Sequence, residues 1–404
     1  METHLNFDVF AGRRLHLGVS GSIAVYKALD LLRAWQDVGL KVSVTLTEAA
    51  KQFVAPLSFE ALGACPVYGH MFAAGQDPLA HLAPGAEAEV MVIAPASAST
   101  LARLAGGSAE EMLCAQALAF AGPVVLAPAM NPRMWANAAT QANWQTLLSR
   151  GCVGVTPGIG RTACLEVGEG RLADLRDIYC AALRCLAAQD FAGKRVLLTL
   201  GPTREFWDGV RFLSNPSSGL MGAALAVAAW LRGAEVTAVC GPGAPWLPQG
   251  IARVDVVSAR EMMAASEAHF SDADYACFCA AVADFYPLKQ STAKLKKNDL
   301  GVDIQLALTA NPDILATLAA RKQTGQRIIA FAAETDELAR HAVDKLKRKN
   351  ADMLVGNLVN QPDSGFGGAN NTVQIWDKQG RHAELPSLAK TEIAWRIWTW
   401  ALQL

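Results

Sequence analysis

Short, unbroken apolar runs alternate along this chain with longer stretches in which apolar residues recur every three or four positions. The runs Arg14–Ser20, Val42–Leu46, Val90–Ala94 and Val124–Ala127 read as buried parallel strands. Between them Ile23–Trp35, Ser97–Leu104, Glu110–Phe120 and Met134–Ser149 carry the helical period, the last ended by Gly151. Residues 157–171, PGIGRTACLEVGEGR, break the pattern and predict an irregular loop or flap. A helix over Asp174–Ala188 closes this cycle, and 189–193 reads as a linker. A second cycle then begins with strand Arg195–Leu200, helix 219–232, strand 235–239, helix 259–270 and strand 275–279. It continues through strand Ile304–Leu308, helix 312–320, strand Arg327–Ala330, helix 336–349 and strand Met353–Val355. A Gly- and Asn-rich loop over 361–371, an edge strand Val373–Trp376 and a closing helix Ser387–Leu402 complete it. The pattern predicts two doubly wound α/β domains with mostly parallel sheets, 1–188 and 189–404.

Length agrees, because 404 residues exceed one comfortable core. A hydrophobic fraction of 52% and a charged fraction of 18% describe a packed protein. The formal net charge of −1, with no long basic run, argues against nucleic acid as a partner. The N-terminal stretch lacks an apolar signal core, and every apolar stretch is short or broken by Gly and Pro, so no membrane span is expected. Nine cysteines without metal-ligand spacing read as reduced thiols, and the expected location is the cytoplasm.

The candidate chemistry sits where strands end. Ser20-Gly21-Ser22 opens the first helix with hydroxyls and free N–H groups suited to a phosphate, although a plain structural turn has the same composition. The strict GxGxxG spacing is absent, so a dinucleotide is not indicated. Thr47 follows the second strand and serves equally as a phosphate contact or a helix cap. Pro95-Ala96-Ser97 lies at the carboxyl end of the third strand, the edge where open α/β sheets bind ligands; Ser97 is also a good N-cap. Asn131 and Met134, in Pro128-Ala129-Met130-Asn131-Pro132-Arg133-Met134-Trp135, follow the fourth strand, in a loop that is rigid whether or not it is functional. His81 is either a structural histidine or a proton-transfer group. Cys164 differs from the other cysteines by lying in the Gly-rich segment.

In the second half, Thr199–Gly222 joins a strand end to Gly201-Pro202-Thr203-Arg204-Glu205, Arg211, Asn215 and the small-residue turn Ser217-Ser218-Gly219 before an Ala-rich helix. That is how a parallel sheet builds an anion site. Ala280-Ala281-Val282-Ala283-Asp284 ends another strand, with small residues on which a flat base or ribose can lie and a carboxylate, Asp284, to accept from a base amine or a hydroxyl. Lys294, Lys296 and Lys297, with Lys345 and Lys349 at i,i+4, form either solvated faces or, with Arg204 and Arg211, the surround of a triphosphate.

Taken in order, these motifs resemble the bifunctional coenzyme A biosynthesis family, in which a phosphopantothenoylcysteine decarboxylase is fused to a phosphopantothenate–cysteine ligase. The likeness runs from about Arg13 to Ala389. It implies a flavodoxin-like flavin domain followed by a Rossmann-like ligase domain. In the first, Ser20, Gly21, Ser22, Thr47, Pro95 and Ser97 would hold FMN, and His81 would be the catalytic histidine. Asn131 and Met134 would meet the substrate carboxylate, and Cys164 would be the acid under a covering flap. The resemblance implies oxidation of the cysteinyl thiol to a thioaldehyde, loss of CO₂, return of the electrons and protonation. In the second domain, carboxylate activation by CTP would precede attack by the cysteine amine. Asn215 would act at the acyl-cytidylate and Lys294 at the transferring phosphate. Ala281, Asp284, Asn311, Phe331, Lys345 and Lys349 would form the CTP pocket, with Mg²⁺ on the phosphates. Partners implied are 4′-phosphopantothenate, cysteine, CTP and further copies of the chain. Three positions depart from the family pattern: Leu165 stands where Gly is usual, and Pro216 and Leu220 where His and Lys are usual. The other functions compatible with the sequence are a decarboxylase with a degraded ligase domain and a non-catalytic flavin-binding regulatory subunit.

Overall fold

The computed structural model describes residues 1–72, 77–296, 304–334, 344–358 and 368–404. It divides into two compact units, residues 7–187 and residues 188–404, the second also including Glu2–Asn6.

The first unit carries strands β1 (Arg14–Val19), β2 (Lys41–Leu46), β3 (Val67–Tyr68), β4 (Val90–Ala96), β5 (Val124–Pro128) and β6 (Val153–Gly154). They form one parallel sheet in the order β3-β2-β1-β4-β5-β6. Without the two-residue β3 the order is the 2-1-3-4-5 of flavodoxin-like folds. All seven residues of β4 are buried, as a strand covered on both faces requires. Helix Tyr26–Asp37 buries Ala28, Leu31, Leu32 and Trp35, one stripe at helical spacing.

Two expectations are corrected here. Residues 157–171 are not irregular: β7 (Gly158–Arg161) and β8 (Val167–Arg171) form an antiparallel hairpin. Gly160 faces Gly168 in that pairing, so strand propensity hid what hydrogen bonding supplies. The helix expected over Met134–Ser149 is two helices, Pro132–Ala136 and Ala138–Ser149. Asn137 separates them, its side chain accepting from Ala139 N–H.

The second unit carries β9 (Arg195–Leu200), β10 (Glu205–Phe206), β11 (Phe212–Leu213), β12 (Glu235–Cys240), β13 (Ala252–Asp255) and β14 (Tyr275–Phe278). It continues with β15 (Phe285–Pro287), β16 (Leu308–Ala310), β17 (Arg327–Glu334), β18 (Met353–Leu358), β19 (Asn370–Asp377) and β20 (His382–Ala389). The main sheet runs β13-β12-β9-β14-β17-β18-β19-β20. Its first six strands are parallel in the Rossmann order 3-2-1-4-5-6, and β19 and β20 extend the edge antiparallel.

The strand expected at Ile304–Leu308 is instead Leu308–Ala310, paired with β15 outside the main sheet. The expected edge strand Val373–Trp376 lies inside β19, because β20 pairs beyond it. The closing helix starts at Lys390 rather than Ser387, residues 387–389 being claimed by β20. Of the loop expected at 361–371, residues 361–367 lie outside the described residues, and Asn370 and Asn371 belong to β19. Of the helix expected at 336–349, residues 344–348 are helical and 336–343 lie outside the described residues.

Helix Leu220–Leu231 is apolar nearly all round and correspondingly buried. It presses so closely on β9 that a Cβ at Gly222 would lie 2.4 Å from Leu200 Cβ. On it rest the C-terminal helix, whose Trp398 Nε1 donates to Leu225 O (2.9 Å), and the 3₁₀ turn Thr3–Leu5. Leu5 is fully buried there, and His4 Nε2 lies 2.8 Å from Trp246 O.

Candidate active sites

In each unit the strand order reverses beside its first strand, between β1 and β4 and between β9 and β14. The loops leaving such a pair diverge and leave a crevice at the carboxyl edge. In the first unit Ser20 rivets these loops: its hydroxyl donates to Pro95 O (2.8 Å) and accepts from Ser97 N–H (2.7 Å). Ser20 and Pro95 therefore build the crevice, while Gly21, Ser22 and Ser97 line it. Ser97 also caps the following helix, accepting from Thr100 N–H (3.3 Å). Thr47 caps its own, accepting from Ala50 N–H (3.1 Å), and opens on a recess that shares Gly21 and Ser97. The capping and binding readings of these residues are compatible.

The far wall is the β7–β8 hairpin. Met130 N–H donates to Gly170 O (2.8 Å), tying the loop after β5 to β8. At Gly170 φ is +146°, and a Cβ would sit 2.6 Å from Met130 O, so this approach needs glycine. The tie brings the hairpin tip over Asn131, whose Nδ2 donates to Cys164 Sγ (3.0 Å) and Glu166 Oε2 (2.9 Å). Asn131 Oδ1 meanwhile accepts from Arg133 N–H (2.8 Å), which fixes the amide's orientation. Thr162 Oγ1 lies 3.0 Å from Cys164 Sγ. Hydrogen bonds from Thr162, then from the Glu166 backbone and Asn131, hold the Cys164 thiol below its ordinary value, against the opposing charge of Glu166. The Asn131 amide, with Arg133 paired to it, likewise holds Glu166 below the usual carboxylate range.

Met134, half exposed, lines the same cleft as Asn131 and Cys164. His81 lines neither this cleft nor the Thr47 recess. Its turn is held to the core, where Gln116 donates to Ala80 O (3.0 Å) and accepts from Thr45, itself 3.0 Å from buried His16. Thr162, Arg133 and Glu166 escaped the sequence reading. Pairing across the 158–171 glycines was the signal that would have found them.

In the second unit the crevice between β9 and β14 is lined by Ser217–Gly222, Cys279–Ala281, Phe331, Ala332, Asn357, Asn371 and Lys390. Asn215 stands beside it, its Nδ2 donating to Val282 O (3.0 Å) and Ala281 O (3.4 Å). Buried Thr203 accepts from Ala283 N–H (3.0 Å), locking the opening motif to the strand that leads to Asp284. Asp284 is exposed. Asn311 N–H donates to Asp284 O and its Nδ2 to Ala283 O, both at 2.8 Å, while its buried Oδ1 has no partner among the described residues. Lys349 pairs with Asp313, two residues beyond Asn311, and Lys345 lies one turn before Lys349. Lys294 is exposed on a segment clipped to the β10–β11 hairpin, where Arg211 donates to Leu295 O (2.8 Å). Ala281, Phe331 and Asn215 thus gather at one crevice, Asp284, Asn311 and Lys349 at the continuation of its β14 wall, and Lys294 on a separate arm. Lys390, Asn357 and Asn371 escaped the sequence reading as site residues, because β18, β19 and the last helix carry no motif.

Residues 10–185 match the flavoprotein family model, and residues 191–404 match that of the DNA/pantothenate metabolism flavoprotein C-terminal domain. The chain is 39% identical to the coenzyme A biosynthesis bifunctional protein CoaBC of Vibrio cholerae, over 95% of this chain and 96% of that one. It is 40% identical to that of Escherichia coli K12 over 92% of each chain, and 39% identical to that of Bacillus subtilis over 95% of each. The crystallised C-terminal domain of such a protein, 38% identical, covers 54% of this chain with a TM-score of 0.46. With both family models in tandem and relatives matched end to end, the chain belongs to the bifunctional coenzyme A biosynthesis family, decarboxylase unit first and phosphopantothenate–cysteine ligase unit second.

Proposed function

We propose that the crevices at β1/β4 and β9/β14 are the two active sites, and that the chain makes 4′-phosphopantetheine from 4′-phosphopantothenate, cysteine and CTP. The observation that carries this reading is the Asn131–Cys164 contact beneath the β7–β8 hairpin, which sets a thiol able to give a proton beside an amide able to bind a carboxylate. The first crevice fits FMN by the chemistry of its donors. Gly21 and Ser22 offer backbone and hydroxyl donors at a helix start, and Ile23, Tyr26 and Met130 offer apolar surface for a flat ring. When bound, FMN supplies the reversible two-electron oxidation that turns the cysteinyl end into an electron sink for CO₂ loss. Asn131 orients the departing carboxylate, and Cys164 delivers the proton that completes the product. Exposed Ile159, Val167 and Tyr26 around this crevice support a homo-oligomer, in which His81 of one copy serves the crevice of another.

In the second crevice, the carboxylate of 4′-phosphopantothenate attacks the α-phosphate of CTP, pyrophosphate leaves, and the cysteine amine displaces CMP. Asn215 holds the acyl-cytidylate beside Ala281. The unpartnered Asn311 Oδ1 supports a cytosine-amine contact, with Asp284 at the ribose and Phe331 against the base. Lys294, Lys345 and Lys349 neutralise phosphate charge, and a Mg²⁺ bound with the triphosphate would share that task. No described helix is long and apolar enough to cross a membrane, and all nine cysteines are free, which supports a cytoplasmic setting. Incubation with 4′-phosphopantothenate, cysteine and CTP, followed by mass detection, tests the reading: both the cysteinyl amide and its decarboxylated product should form. Absence of the amide overturns the ligase half; an amide that persists in flavin-loaded protein overturns the decarboxylase half.

A further inference from the structure

The crevice of the second unit has an electrostatic feature that none of the motifs announced. Lys390 is 94% buried by its 6% exposure, yet it lines the crevice. Its ammonium donates to Gly368 O (2.5 Å), a neutral acceptor, and no carboxylate pairs with it among the described residues. The ionisable neighbour is Cys279, whose thiol burial pushes up to about 12, so it stays neutral and offers no counter-charge. Lys390 is also the first residue of helix Lys390–Ala401, where the helix dipole opposes a cation. A buried ammonium at the positive end of a helix is costly twice over, and a clip to one carbonyl does not offset that. Across the crevice stands the start of Leu220–Leu231, a twelve-residue helix with no side-chain cap, so its first N–H groups also face a site without an acid. Two helix starts and an ammonium therefore converge on one cavity whose described lining includes no Asp or Glu.

We propose that Lys390 is a phosphate-binding residue of the ligase crevice, holding a phosphate group between its ammonium and the Gly219–Gly222 helix start. For the ligand's identity the inference rests on the ligase reading; for its chemistry it rests on the cavity alone. Leu220 lines the same cavity without bringing a charge to it, so the cation there is delivered from the far end of the chain. Phosphate at this point comes from the triphosphate of CTP or from the 4′-phosphate of the substrate, and the experiment separates them.

Full-length Lys390→Met and Lys390→Arg would be titrated with CTP, inorganic triphosphate, 4′-phosphopantothenate and unphosphorylated pantothenate, with circular dichroism and flavin content checked for each. Lys390→Met should weaken CTP and inorganic triphosphate at least tenfold if the site holds the triphosphate, or 4′-phosphopantothenate tenfold if it holds the substrate phosphate. Pantothenate should be unaffected, and Lys390→Arg should stay within about threefold of wild type. A folded Lys390→Met that binds all three phosphate ligands as wild type does overturns the proposal. If that variant does not fold, acetic anhydride labelling of the wild type decides. Saturating triphosphate or 4′-phosphopantothenate should slow acetylation of Lys390 at least fivefold, and no protection by either overturns it. Because inorganic triphosphate is a probe independent of turnover, failure of the ligase reaction itself would show separately, as absent pyrophosphate release in wild type.

Discussion

Leu165 adopts φ +67°, a left-handed conformation that costs a side chain with a Cβ about 1 kcal/mol. It closes the turn in which Leu165 N–H donates to Thr162 O (2.9 Å) and Thr162 N–H to Glu166 O (2.8 Å). A glycine here would carry no Cβ to oppose that backbone, and Leu165→Gly should stabilise the hairpin by about 1 kcal/mol, read as slower proteolysis at 162–166 with global Tm nearly unchanged. Slower cleavage by the same amount in Leu165→Ala would refute the backbone explanation. The neighbouring thiol makes a pH prediction. In the proposed reaction Cys164 is the acid and must be protonated, so decarboxylation should fall as pH rises through its pKa, which lies below the ordinary thiol value. Thr162→Ala removes the largest stabiliser of the thiolate, raises that pKa, and should move the alkaline limb of kcat to higher pH. An unmoved limb would show that Cys164 is not the titrating group. These roles were legible only in part: Cys164 and Asn131 stood out by motif, but Thr162 and Glu166 became partners only through strand pairing.

At the scale of elements, Asp352 binds three of them together. Its carboxylate accepts from Ile328 N–H (2.7 Å) and Lys322 (2.6 Å) and pairs with Lys378, joining the start of β17 to the β19–β20 turn. Burial pushes its pKa up, but these donors outweigh it and hold the value below the ordinary 3.8. A depressed native pKa contributes stability above the unfolded value, lost as pH falls through the folded one, so the loss belongs below pH 3.8. Asp352→Ala leaves two ammonium groups without their partner and should cost about 3 kcal/mol in denaturant unfolding of the second unit at neutral pH. A change under 1 kcal/mol would mean the pairs are solvent-screened. The sequence predicted neither β20 nor the hairpin of the flap. Strand β20, HAELPSLA, has three small residues and a proline, and β7 and β8 are rich in glycine. In both cases a neighbouring strand provides what local propensity withholds.

At the scale of the whole molecule, the first residues belong with the last. Leu5 is buried against the second unit's helices, although the chain then continues into the first unit. Leu5→Ala should destabilise the ligase unit by about 3 kcal/mol while leaving flavin retention in the other unit unchanged. Equal loss in both units would show that the two unfold together. No local pattern marks this contact, because a three-residue turn is too short to carry a period. The sequence by itself determined two α/β cycles, the strand ends where chemistry gathers, and the family, because buried parallel strands and small-residue turns leave local traces in composition and period. Tertiary structure alone decided which termini meet. It decided that Asn131 holds Cys164, that His81 lies outside the cleft it was expected to serve, and that Lys390 reaches a crevice more than a hundred residues from the motif that opens it. Those contacts join residues far apart in the chain, and only the register of strands and the packing of helices sets them.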